Sequence, residues 1–113
     1  MSRSWTLFLH DMLECARKVE RFTAECDMNQ FVNDEMAYDA VLRNLEILGE
    51  AAKKIPDDVR RRYPDVNWRG VAGLRDLLAH AYFALDDATL WKIIQTDVRQ
   101  LIPELERVAQ ENR

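Results

Sequence analysis

Apolar side chains recur at three- and four-residue intervals through three stretches of this chain, and that period leaves little choice of fold. Leu9, Met12, Leu13, Ala16, Val19 and Phe22 mark a first amphipathic helix over about 4 to 26. Tyr38, Val41, Leu45, Leu48, Ala52 and Ile55 form the stripe of a second, roughly 33 to 54, after the polar break "ECDMNQ" and before Pro56 stops it. Leu90, Ile94, Val98, Leu101, Leu105 and Val108 mark a last helix, capped by Asp86 or Asp87 and expected to kink or divide at Pro103. Between them "PDDVRRRYP" reads as a turn or one short helix. Asn67 caps a helix of about 68 to 82, whose Gly70, Ala72 and Gly73 would let another backbone come close. The expected architecture is all-α: an antiparallel bundle of four main helices plus a short connector.

A length of 113 residues, 48% of them hydrophobic, suits a single domain over 1–113. A net charge of −4 excludes the global basic field of a passive nucleic-acid coat, so any anionic ligand needs a local patch. Arg60, Arg61, Arg62, Arg69 and Arg75 crowd one region, among Asp57, Asp58, Asp65 and Asp76; the Arg60–Arg62 run reads equally well as a solvated charged loop. Cys15 and Cys26, both placed in the first helix and so about 16 Å apart, are expected as free thiols in a reducing compartment. The cluster "WTLFL" is too short for a secretory core or membrane span, which points to the cytoplasm and away from membranes. His10 and Glu14 lack a third ligand for a metal site, "GVAG" lacks the spacing and lysine of a phosphate loop, and no cofactor is implied. Trp5, Trp68 and Trp91 read as core or interface anchors before base-stacking platforms.

The octapeptide "RDLLAHAY", residues 75 to 82, sets Arg75, Asp76, His80 and Tyr82 in a run otherwise built for burial. On a regular helix Arg75 and Tyr82 lie within about 20° of one face, whereas His80 lies about 140° around from Arg75. Either the helix loosens near Ala79 to Tyr82, or a symmetric second copy supplies the missing group. Asp76 precedes His80 by four residues, the spacing at which a carboxylate can orient an imidazole. Taken alone, these residues also fit surface charges, a hydrogen-bonded helix histidine and a packed tyrosine with its hydroxyl in water.

Read with "YPDVNWRGVAGLRDLLAHAYFALDDATLWKII", "RNLEILGEAAKKIP" and "LIPEL", the segment resembles the HepT-like branch of the HEPN superfamily over nearly the whole chain. The family signature R-x4-H-x-Y falls on Arg75, His80 and Tyr82. The resemblance implies a four- or five-helix bundle that forms a symmetric homodimer, with two copies of the motif facing across a cleft. It implies a metal-independent endoribonuclease acting on RNA, a toxin restrained by an MntA-like minimal nucleotidyltransferase that transfers AMP to the motif tyrosine, here Tyr82. Arg75 and His80 are then the catalytic pair, with Asp76 in support. The residue after the motif arginine is often asparagine in this branch; Asp76 adds negative charge where a phosphate should bind. Two other readings fit the same residues: a non-catalytic subunit presenting nucleotide or substrate to a partner nucleotidyltransferase, and a purely structural dimerisation module.

Overall fold

The computed structural model describes residues 4–81 and 86–113, and of His80 and Ala81 the backbone alone. All regular structure among these residues is helical. The first stripe folds as α1 (Trp5–Thr23), the second as α3 (Glu35–Ala52), with the short α2 (Met28–Asn33) between them. The chain continues through α4 (Asp57–Arg62), α5 (Trp68–Ala72) and α6 (Leu74–Ala81). It then runs without interruption through α7 (Asp87–Lys92), a π-helical segment (Ile93–Val98) and α8 (Arg99–Glu111).

The three stripes meet in one core. Met12, Ala16 and Val19 of α1 are fully buried with Val41, Leu45 and Leu48 of α3 and with Leu90, Ile94 and Leu105 of the last helix. Each such leucine contributes about 1.5–3 kcal/mol by leaving water. The exposed Arg17–Glu106 pair that links α1 to α8 at 2.8 Å adds at most about 1 kcal/mol, so apolar contact holds these helices together.

Several boundaries differ from the sequence reading. The break at "ECDMNQ" becomes α2, because Asp27 and Gln30 form a reciprocal capping box: the Gln30 N–H donates to Asp27 Oδ1 at 2.8 Å and the Asp27 N–H to Gln30 Oε1 at 2.9 Å. That helix buries Phe31, whose ring lies 5.4 Å from Tyr38 and 5.5 Å from Trp91. Cys26 falls beyond the end of α1, and both thiols are free. Phe22 is 37% exposed, with Thr23 buried in its stead and its hydroxyl donating to the Val19 carbonyl at 2.8 Å. The helix expected over 68 to 82 is divided at Gly73, and residue 82 lies outside the described residues. Pro103 stands inside α8; the change of hydrogen-bond register falls upstream of it, at 93–98, just before the Arg99 carbonyl that its ring crowds. The expected caps are present: Asn67 Oδ1 accepts from the Gly70 N–H at 3.0 Å and Asp86 Oδ1 from the Thr89 N–H at 2.7 Å. That Thr89 bond holds the Asp86 carboxyl below its ordinary pKa.

The close backbone approach lies at a different glycine from those singled out. A Cβ on Gly70 would strike the side chain of its own cap, Asn67, and one on Gly73 would meet the Arg69 carbonyl within its own turn. At Gly49 of α3 it would come within 3.0 Å of the Arg75 nitrogen and 3.2 Å of the Val71 carbonyl oxygen, which belong to a facing backbone. Gly49→Ala should therefore lower stability by about 1–2 kcal/mol, since overpacking against backbone outweighs the better helix propensity of alanine. Urea unfolding checks this; a midpoint at or above wild type would show that α3 and α6 can part without cost.

Candidate functional site

Gly49 decides where Arg75 stands. Without a side chain at that position the first turn of α6 lies directly against the last turns of α3, and Arg75 emerges beside Glu50. Arg75 Nη1 pairs with Glu50 Oε1, an oxygen shielded from solvent although the two side chains are 51% and 40% exposed. Next along α6, Asp76 is 75% exposed and its Oδ1 lies 4.0 Å from Lys53 Nζ, just past the end of α3. Two cross-helix charge pairs thus flank the seam where the backbones touch.

The backbone remains helical from Arg75 through Ala81. Of the two ways to bring Arg75 and His80 together, a loosening of the helix is absent up to Ala81. Five residues of helix set their Cα positions about 140° apart around its axis. The side chain of His80 and the whole of Tyr82 lie outside the described residues.

The flanks of α6 differ chemically. On one side a groove of about 450 Å³ runs between α3 and α6, lined by Asp39, Leu42, Arg43, Glu46, Arg75, Leu78 and Ala79. Leucines and an alanine supply apolar surface there, and two arginines and two carboxylates complete the lining. On the other side a cleft of about 260 Å³ includes Leu74, Leu77, Ile93 and Leu101 and is edged by Asp65, Asp97 and Glu104, with no lysine or arginine in its lining. Burial, reinforced by the Asp65 charge and opposed by Arg107, pushes the Glu104 carboxyl above its ordinary pKa. A phosphate would be repelled from this cleft; of these two flanks of α6, the α3–α6 groove is the one with arginines among its described lining.

Two other arginines of the expected patch, Arg60 and Arg62, have structural partners. Arg60 donates to the Ile55 carbonyl at 3.0 Å and to the Ala52 carbonyl at 2.8 Å, satisfying the C-terminal end of α3. Arg62 lies 5.9 Å from the Tyr63 ring centroid. Trp68 is buried, its indole N–H donating to the Tyr63 carbonyl at 2.9 Å, and leaves no open face for a base, while the half-buried Trp91 packs on Phe31 as an anchor of the core. His10 and Glu14 share a groove with Arg17, Lys18 and Arg21, and Glu14 pairs with Lys18 at 3.4 Å. Among the described residues no group of three histidine, cysteine or acidic side chains is placed to hold a metal, and no helix is long and apolar enough to cross a membrane. Glu50 and Arg43 were not legible as site neighbours, since only the fold brings α3 beside α6.

Comparison with known proteins shows the family of the chain. The family model "Ribonuclease HepT-like" matches residues 12–108. A Methanocaldococcus jannaschii protein named "Putative RNase MJ1380" is 46% identical over 101 residues, 89% of this chain and 93% of that protein. "Probable ribonuclease HepT" of Thermococcus cleftensis is 41% identical over 108 residues, 96% of this chain and 98% of that protein. "Putative RNase TTE0752" of Caldanaerobacter subterraneus subsp. tengcongensis is 32% identical over 104 residues, 92% of each. No solved structure matches.

Proposed function

Because the chain belongs to the HepT-like ribonuclease family, we propose that it is a metal-independent endoribonuclease, a homodimer whose Arg75 and His80 act on RNA. The observation that supports this most is the setting of Arg75: an arginine held at its backbone and at its tip, half exposed, on a flank of α6 whose described lining residues include a second arginine. The 140° offset along an unbroken helix favours a second copy as the source of the facing imidazole.

In the proposed reaction His80, neutral, takes the proton of a ribose 2′-hydroxyl as that oxygen attacks the adjacent phosphorus. The bond from phosphorus to the 5′-oxygen breaks, the leaving oxygen takes up a proton, and a 2′,3′-cyclic phosphate remains. General base catalysis of this kind is worth about 10²–10⁴-fold. Arg75 donates to the phosphoryl oxygens as negative charge grows on them, with a planar fork that lysine lacks. Asp76 supports His80 from four residues earlier in α6 and favours the imidazolium.

The reading extends to regulation. The chain is the toxin of a toxin–antitoxin pair in the cytoplasm, neutralised when an MntA-like minimal nucleotidyltransferase attaches AMP to Tyr82. The adduct adds bulk and a phosphodiester charge beside a site meant for RNA phosphates, so occlusion and repulsion act together.

Incubating the purified chain with RNA in EDTA should give fragments ending in 2′,3′-cyclic phosphate, and His80→Ala should lower the rate by about 10²-fold or more. Persistent cleavage by the variant would remove His80 from the mechanism. Asp76→Asn withdraws a charge that favours imidazolium, so the basic form of His80 should appear at lower pH and the rising limb of the pH–rate profile should move down. A limb that stays in place or moves up contradicts that role. Co-production with the cognate nucleotidyltransferase should add AMP mass to the peptide carrying Tyr82; neutralisation with Tyr82 unmodified would require another route.

A further inference from the structure

We propose that Glu50 is a positioning residue that holds the Arg75 guanidinium at the α3–α6 groove in the orientation an RNA phosphate requires, an inference that rests on the ribonuclease reading above. An arginine side chain has several freely turning bonds, and fixing it after substrate arrives costs entropy that a prior partner removes. Here both ends of the side chain are held by adjacent residues of α3. Gly49 admits the Arg75 backbone to contact distance, and Glu50 takes the guanidinium tip. Because one residue follows the other on the same helical turn, the two ends cannot be placed independently.

A carboxylate beside an arginine could instead compete with phosphate, and the geometry decides between these roles. The contact runs through Nη1 and through Glu50 Oε1, the oxygen shielded from solvent, while the Arg75 side chain as a whole remains half exposed and Arg75 is among the residues lining the groove. A guanidinium carries five N–H donors, so one such contact leaves a face for a phosphate. An ion pair this accessible adds little to folding stability. Its larger effect is on where the charge points. Lys53 meanwhile faces Asp76 at 4.0 Å, so the neighbouring carboxylate has a different cation to answer.

The test is a double-mutant cycle on the full chain: wild type, Glu50→Ala, Arg75→Ala and the double variant, with Glu50→Gln beside them and a melting curve for each. Affinity is measured for a 2′-O-methyl RNA oligonucleotide, which cannot be cleaved, and kcat/KM for the unmodified oligonucleotide. Glu50→Ala should lower kcat/KM by about 10–100-fold, and Glu50→Gln, which keeps the shape of the side chain but not the charge of the ion pair, should recover only a small part of that loss. In the Arg75→Ala background the same substitution should change affinity by less than about twofold. Equal losses in both backgrounds, or a Glu50→Ala variant indistinguishable from wild type, overturn the proposal. A wild type that leaves unmodified RNA intact sinks the ribonuclease reading instead, and the affinity cycle then still shows whether Glu50 acts through Arg75.

Discussion

The contact of two helix backbones at Gly49 is the constraint on which the rest of this molecule turns. A side chain there would meet the Arg75 nitrogen and the Val71 carbonyl oxygen, neither of which can rotate away. The missing methyl brings α6 down onto the end of α3, and three consequences follow from that proximity. Leu74 is buried beneath the seam, the Arg75 tip reaches Glu50, and Asp76 comes near Lys53. A packing requirement and the placement of a charged side chain are here one geometric fact.

Charge is distributed around α6 in a way that net composition conceals. The chain is acidic overall, yet the groove that Arg75 shares with Arg43 is lined by cations as well as carboxylates, while the charged residues lining the cleft on the far flank are all acidic. The Arg60–Arg62 run, the most basic tract in the sequence, contributes to folding instead: Arg60 closes the carbonyl end of α3, and Arg62 and Arg107 lie within cation–π range of the Tyr63 ring. Local density of like charge is therefore a poor guide to where an anion would sit.

Much of the helical layout was legible because burial imposes a period that residues such as Leu45, Leu48, Ile94 and Leu105 display directly. Asn67 and Asp86 were legible as caps because a short polar side chain before an amphipathic run has few other uses. Features that depend on two distant segments were not. Gly49 sits in its own helix like any small residue, and its meaning exists only once α6 lies across it. Glu50 and Arg75 are brought together by the same crossing. Phe22 and Thr23 exchange places because the stripe of α1 drifts near its end, where the Thr23 hydroxyl finds the Val19 carbonyl. The signal for α2 was present in Asp27 and Gln30, three residues apart, but a box of two polar residues is easily read as a loop. Of the motif, Arg75 and Asp76 can be placed at the α3 seam, while the His80 side chain and Tyr82 lie outside the described residues.

The wide turn at 93–98 bears on how the last helix packs. A π segment holds about one residue more than the same height of α-helix, and that surplus displaces nothing downstream here, since Leu101, Leu105 and Val108 still reach the core. The last helix thus keeps one buried face across a change of pitch, with Ile94 and Val98 inside the wide turn and Leu101 and Leu105 beyond it all turned to the core.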